Sequence, residues 1–394
     1  MKLREEIIDL TNQFYQEIVG FRRHIHKNPE LSFQEKNTSK YICSILDEYQ
    51  IDYTSGLAGT GIMASIKVKS PIKKIVLRAD IDALPIQEEN EVTYKSINDG
   101  IMHACGHDVH TACVLGALIV LKKLESKLKN DIYFIFQPGE EKLPGGASLL
   151  IKEGIFESIN PDLIIGQHVH PPLQTGKVGV KGGMYMASAD ELYFTVKGKG
   201  GHAALPHECI DTILMASEMI VGLQKIVSRN ANPTVPSVLT IGKINSVGGA
   251  TNVIPDVVKL EGTFRTMNEE WRSRAHNLIE QYCEALANSF GGNIDVEIKK
   301  GYPFLKNDEE LTQKVKTLMI DHLGDSNVVD LPIRMTAEDF SYYSQIMPAC
   351  FFRLGVRNDK KGITSPVHTP TFDVDEEALK TGVSTMVYLA MNLS

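Results

Sequence analysis

No stretch of this 394-residue chain is apolar for long enough to cross a bilayer. The longest run, about Ala112 to Leu121, falls well short of the ~20 residues a spanning helix needs. The chain also lacks any basic stripe. Its 41 lysines and arginines are scattered among 49 acids, for a formal charge of −8. That balance excludes a nucleic-acid footprint and disfavours anionic membranes. None of the six cysteines forms a CxxC pair, and their wide spacing gives no disulfide framework. No apolar core of a signal peptide follows Met1-Lys2-Leu3-Arg4-Glu5-Glu6. The expected home is therefore a reducing cytoplasm. Cys43, Cys113, Cys209, Cys283 and Cys350 read as small buried hydrophobes. The glycine patches Gly145-Gly146, Gly182-Gly183 and Gly200-Gly201 lack the spacing of a phosphate-cradling loop.

What is present is an ordinary globular composition, 43% hydrophobic and 23% charged, in a chain long enough for two domains. A helical start is broken at Asn28-Pro29. Short apolar strands at Ile62–Val68, Ile75–Ala79, Ile132–Gln137 and Leu163–Gly166 then alternate with helical segments, among them Thr111–Leu124. This predicts an α/β domain with a mostly parallel sheet flanked by helices. From residue 188 to 299 the order changes to β-α-β-β-α-β, the ferredoxin-like arrangement. The strands are Glu191–Lys197, Val238–Ile244, Val257–Phe264 and Asn293–Lys299, and the helices are Ile210–Val227 and Glu269–Phe290. Segments of the first kind resume after Gly301. The expectation is a catalytic domain of residues 1–187 and 300–394, interrupted by an inserted lid of 188–299.

His103-Ala104-Cys105-Gly106-His107-Asp108-Val109-His110 packs three imidazoles, a thiol and a carboxylate into eight residues. Short Cys/His-rich tracts commonly bind metal. Cys105 and His107, two apart, face the same way only on an extended or looped backbone. Three further polar clusters follow predicted strands: Asp80/Asp82, Glu140-Glu141 and His168/His170. Ligands of open α/β sheets gather at such strand ends. Asp80 and Asp82 either ligate directly or hold a ligating histidine by its second nitrogen. Glu140 and Glu141, adjacent on an extended chain, would face opposite ways. One could then ligate while the other acts as general base, the division that metal-assisted hydrolysis needs. His168 completes a Cys/His/Glu set, whereas His103, His110 and His170 read as support or surface.

LRADIDALP (77–85), HACGHDVHTA (103–112), PGEE (138–141) and GQHVHP (166–171) resemble the aminoacylase/carboxypeptidase superfamily of dinuclear metallopeptidases. They are most similar to its amidohydrolase branch, with hippurate hydrolase and the indole-acetyl-amino-acid hydrolases. GKGGHAALPH (198–207), GGATNVIPD (248–256), EGTFR (261–265), TAEDFS (336–341) and SPVHTPTFDVDEEAL (365–379) extend the likeness over nearly the whole chain.

The resemblance implies two divalent ions (manganese, zinc, cobalt or nickel) on Cys105, His107, Glu141, His168 and His368, with Glu140 as general base. It implies His202 as oxyanion stabiliser, in its own or a neighbouring subunit, and Asn252 with Arg265 as a clamp for a substrate carboxylate. Sister branches carry a metal-binding histidine where this chain has Asp80. The implied reaction is hydrolysis of an N-acyl amino acid, with a dipeptidase or carboxypeptidase activity on the same centre as the alternative. A homodimer or dimer-based tetramer through the lid is also implied.

Overall fold

The computed structural model describes residues 2–393. They form two compact units, one comprising the chain up to Gly183 with Lys306–Pro332 and Asp339 onward, the other Met184–Leu305 with Ile333–Glu338.

The first unit is built on an eight-stranded sheet. Its spatial order is Asp52–Leu57, Gly61–Ile66, Asp131–Gln137, Lys74–Asp80, Leu163–Gln174, Ala349–Arg357, Val178–Val180 and Val328–Asp330. The middle pairings, from Asp131–Gln137 across to Ala349–Arg357, are all parallel. These strands are apolar and buried through their central residues because both faces are covered. Every residue of Asp131–Gln137 is buried. Helix His107–Lys123 is buried over its first four turns, His107 to Leu121. Lys2–Lys27 and Ala378–Asn392 pack on it. That explains an apolar run too short for a membrane: it is a central core helix, apolar all round. No described helix is long and apolar enough to cross a membrane.

The second unit is a four-stranded antiparallel sheet in the order Ser237–Val247, Val257–Thr266, Asp190–Lys197, Asn293–Lys300. With helices Thr212–Asn230 and Glu269–Ser289, chain order and sheet order are those of a ferredoxin-like βαββαβ unit. Alternation along Asp190–Lys197 buries Leu192, Phe194 and Val196 in a core shared with Met215, Met219, Ala275 and Ile279 of the helices. Both helices begin at side-chain caps, Asp211 and Asn268. The buried Asp190 carboxylate accepts hydrogen bonds from Arg272 and from the Gly301 N–H, and Arg272 also donates to the Gly301 carbonyl. One ion pair thus ties the two ends of the unit together.

Several sequence expectations change. The helix expected from Thr111 starts at His107, so Asp108 to His110 form its first turn rather than a loop. The left-handed Gly106 (φ 83°) follows a turn at Ala104-Cys105, and the helix winds directly from it. The strand expected to stop at Gly166 continues to Gln174, so His168 and His170 lie within it. Ala349–Arg357 pairs alongside it in parallel, with Arg353 opposite His168, and so extends the ladder. Cys43 and Cys209 are half-exposed rather than buried. Strand Asp52–Leu57 was not expected at all, because its mostly exposed residues carry no apolar alternation.

Candidate metal centre

Three neighbouring parallel strands deliver the polar clusters to one end of the sheet. Asp80 pairs opposite Gln137 on one side, and Arg78 pairs opposite Gly166 on the other. Asp80 and Asp82, Glu140-Glu141 and His168 therefore emerge side by side. Gly106 brings the Cys105–His107 turn against them. A Cβ on Gly106 would sit 2.6 Å from a methyl of Val169, so the turn can lie this close to the His168 strand only with glycine there.

The donor atoms converge. Cys105 Sγ lies 3.3 Å from His168 Nε2 and 3.2 Å from His368 Nε2, and His368 Nε2 is 3.3 Å from Glu141 Oε1. His107 Nε2 lies 3.9 Å from Glu141 Oε1 and 4.0 Å from Glu140 Oε2. Glu140 and Glu141 follow the strand end in a turn rather than on extended backbone, so both carboxylates approach the same imidazole. This corrects the expectation that they face opposite ways. Cys105, His107 and His168 form one compact triplet, and Cys105, Glu141 and His368 form another, with the thiol common to both.

The orphaned atoms test whether this cluster fits a cation. His107 Nδ1 is 2.9 Å from the Asp82 carbonyl oxygen and 3.2 Å from Asp82 Oδ1. Both are acceptors, so Nδ1 keeps its proton and it is Nε2, facing the cluster, that would offer a lone pair to a cation. Nε2 is buried there with no hydrogen-bond partner among the described residues, as is Glu141 Oε1. His168 is fixed the same way: its Nδ1 donates to the Val169 carbonyl at 2.8 Å, which turns Nε2 toward Cys105. Buried polar atoms without partners are costly. Lone pairs aimed at a common space by hydrogen bonds behind them are the arrangement that metal-ligating histidines show. The residues fit divalent cations.

Charge agrees. Burial lowers the His107 pKa, but Asp80, Asp82 and Glu141 outweigh it and push the value up to about 10. Burial and the Glu141, Glu140 and Asp80 carboxylates push the Cys105 thiol well above its ordinary value. Without a cation the negative groups hold protons on both side chains, so binding a cation would release them.

Around the donors, Asp80, His110, Asp82 and Asp339 are all engaged in hydrogen bonds. Asp80 gives one oxygen to Arg78 and the other to His110 Nδ1, each at 2.6 Å. His110 Nε2 in turn accepts the Val169 N–H at 2.9 Å. His103 is buried and pushed down to about 3 by that burial, hence neutral. Asp82 Oδ2 accepts from the Ser32 hydroxyl at 2.7 Å and from the Glu141 N–H at 2.9 Å. The Asp339 N–H donates to Glu140 Oε1 at 3.4 Å. The Asp339 carboxylate is held by Arg78 Nη2 at 2.7 Å and by both contacts from Gln137 Nε2. Nothing in the spacing of the sequence singles out Ser32, Arg78 or Asp339. The available signals were the LRADIDALP and TAEDFS motifs, which contain Arg78 and Asp339.

His202, Asn252 and Arg265 belong to the second unit. His202 is exposed on a short strand paired with Val253, and the Ala203 N–H donates to the Asn252 carbonyl at 3.0 Å. Arg265 is half-buried, with Nη1 donating to the Met335 carbonyl at 3.2 Å.

Comparisons with known proteins agree with this centre. Residues 76–392 match the model of peptidase family M20/M25/M40. The chain is 42% identical over 364 residues to the N-acetyl-L-cysteine deacetylase of Bacillus subtilis, covering 92% of this chain and 85% of that one. It is 35% identical to thermostable carboxypeptidase 2 of Saccharolobus solfataricus, across the whole of both chains. Among solved structures it is similar to a dinuclear metal-binding peptidase of Bacillus subtilis, with a TM-score of 0.81, 33% identity, and 97% and 99% of the two chains covered. A family model spanning most of the chain, relatives of this identity and a donor cluster suited to hydrolysis agree: the chain belongs to peptidase family M20/M25/M40 and is a hydrolase of amide bonds.

Proposed function

We propose that the protein is a metal-dependent amidohydrolase that cleaves N-acyl amino acids into an amino acid and a carboxylate. The observation that carries this reading is the convergence of Cys105, His107, Glu141, His168 and His368 with the further carboxylate of Glu140 beside them. Five donors in two triplets that share Cys105 would hold two divalent cations. The dinuclear relative supports that number, and the deacetylase supports the N-acyl substrate. A thiolate with imidazoles suits zinc, and the added carboxylates also admit manganese, cobalt or nickel.

Divalent cations held by Cys105, His107, Glu141, His168 and His368 would supply the positive charge that makes a water more acidic and an acyl carbonyl more electrophilic. Glu140 takes the proton of that water and returns it to the leaving amine. Its near-complete burial keeps it out of competing solvent. Asp82 fixes His107 from behind, and Asp80 does the same for His110. In this proposal His202 donates to the oxyanion of the tetrahedral intermediate. Arg265, a planar guanidinium, and Asn252 hold the substrate's free carboxylate. Support for these three second-unit roles comes from the GKGGHAALPH, GGATNVIPD and EGTFR resemblances. The same resemblance supports a homodimer, or a dimer-based tetramer, formed through the second unit, and the cysteine usage supports a cytoplasmic location.

The similarity to a carboxypeptidase favours one other reading, cleavage of a peptide bond at the same centre. Assays of the purified, manganese- or zinc-supplemented enzyme on N-acetyl amino acids beside dipeptides and blocked peptides separate the two. Preference for N-acetyl or aryl-acyl amino acids by tenfold or more in kcat/KM is expected. Preference for peptides of that size would replace the first reading with the second.

A further inference from the structure

The turn that carries Glu140 and Glu141 is gripped from outside the donor cluster. Glu35 is fully buried. Its Oε1 accepts the backbone N–H of Gly139 at 2.9 Å and that of Phe33 at 2.8 Å. Its Oε2 accepts the Thr60 hydroxyl at 2.7 Å. Three donors converge on a group that can only accept, so a carboxylate suits the position. Phe33 sits at φ 64°, an unusual conformation for a side-chain-bearing residue. Its ring lies against Gly139, itself at φ 60°, so closely that a Cβ there would be 2.4 Å from a ring carbon. A strained residue and a buried charge both serve one contact with one peptide of this turn.

The other holds on the turn act elsewhere. Asp82 grips the Glu141 N–H, and the Asp339 N–H reaches the Glu140 carboxylate itself. Glu35 grips the N–H of Gly139, the residue before Glu140, while the Gly139 carbonyl accepts the Gly146 N–H at 3.1 Å. Burial raises the Glu35 pKa while the Thr60 hydrogen bond lowers it. The carboxylate is kept there against a desolvation cost, on a turn whose Pro138, Gly139 and Glu140 are themselves buried.

We infer that Glu35 is a positioning residue for Glu140, aiming the proton-transferring carboxylate by fixing the Gly139 peptide from behind. This rests on Glu140 being the general base. Glu35 is not among the clustered donor residues, so its loss is expected to fall on turnover rather than on metal content. Misplacing a reacting group by about 1 Å costs on the order of 10²-fold in rate.

The test uses the fully metal-loaded enzyme, with kcat, KM and bound metal measured for Glu35→Ala, Glu35→Gln, Thr60→Val, Glu140→Gln and the double variant Glu35→Ala/Glu140→Gln. Glu35→Ala should lower kcat about 10²-fold with KM and metal content near wild type. Glu35→Gln keeps an acceptor for Gly139 and should recover most of that loss. Thr60→Val, which frees Oε2, should lower kcat several-fold. In the Glu140→Gln background, Glu35→Ala should cause no further loss, because the group it aims is already gone. An equal further loss in that background, or metal content falling in step with activity, would overturn the inference while leaving Glu140 as base. Near-normal turnover of Glu140→Gln alone would instead remove the reading on which it rests. If Glu35→Ala does not fold, Thr60→Val decides, and wild-type kcat in that variant overturns the proposal.

Discussion

Asp82 Oδ1 lies 3.2 Å from Nδ1 of His107, and that contact turns the other imidazole nitrogen into the donor cluster. The same carboxylate holds the Glu141 N–H through Oδ2. One residue thus orients a nitrogen donor and an oxygen donor contributed by different elements. Replacing Asp82 with Ala should weaken metal binding about 10- to 100-fold, the usual cost of losing a carboxylate behind a ligating histidine. Competition with a chelator of known affinity measures it, and an unchanged affinity would remove Asp82 from the account.

Gly106 makes a second prediction. Gly106→Ala adds a methyl 2.6 Å from Val169 Cγ2 and forces a side-chain-bearing residue to φ 83°. Overpacking and left-handed strain together should cost about 2–4 kcal/mol in urea unfolding. Adding Val169→Ala should recover the steric share and leave roughly the backbone share of 1–2 kcal/mol. A double variant no more stable than Gly106→Ala would show that the contact with Val169 is not what requires glycine.

Stability should also fall on mild acidification through His322. This residue is buried, neither ring nitrogen has a partner among the described residues, and the ring stacks on Tyr388 at 4.8 Å. Burial, with help from Arg4, pushes its pKa down to about 4. In the unfolded chain the value is about 6.5, so between the two the unfolded state binds more protons. The stabilisation is fully present above pH 6.5 and is lost as pH falls toward 4. From pH 6.5 to pH 5 the loss is about 2 kcal/mol at 1.36 kcal/mol per pH unit. His322→Phe keeps the stack and should flatten this part of the pH profile, as read by denaturant unfolding at each pH. An unaltered slope in that variant would assign the acid sensitivity to other groups.

In the second unit, the buried Asp190–Arg272 pair supplies a fourth test. Asp190→Ala leaves the buried guanidinium of Arg272 with the partly exposed Glu269 as its carboxylate partner and should destabilise the unit by about 3–5 kcal/mol. Asp190→Ala with Arg272→Met removes both charges and should be the more stable of the two variants. Thermal unfolding followed by the fluorescence of Trp271, the chain's single tryptophan, reports on this unit directly. A double variant less stable than the single one would mean that the pair contributes through packing rather than charge.

The parallel strands and the βαββαβ unit were legible because period-two and period-3.6 patterns record which faces are buried. Strand Asp52–Leu57 left no such record, since its exposed edge needs no apolar face. The polar clusters could be placed at strand ends, but not their orientation. Glu140 and Glu141 depart from extended geometry because the strand stops at Gln137, and a turn aims both carboxylates the same way. His368 could not be read from its local loop at all. It reaches Cys105 from 263 positions away, a contact that only the folded chain creates. Ser32, Glu35 and Asp339 escaped for the same reason, since each acts through a backbone amide or carboxylate distant in sequence.

The central claim is that Glu140 moves the proton while Cys105, His107, Glu141, His168 and His368 hold the cations. The most direct test is single-turnover hydrolysis of an N-acetyl amino acid by Glu140→Gln with its metal content quantified. The account predicts a rate about 10²–10⁴-fold below wild type with the metal still bound. Near-normal turnover in a metal-loaded Glu140→Gln enzyme would contradict it.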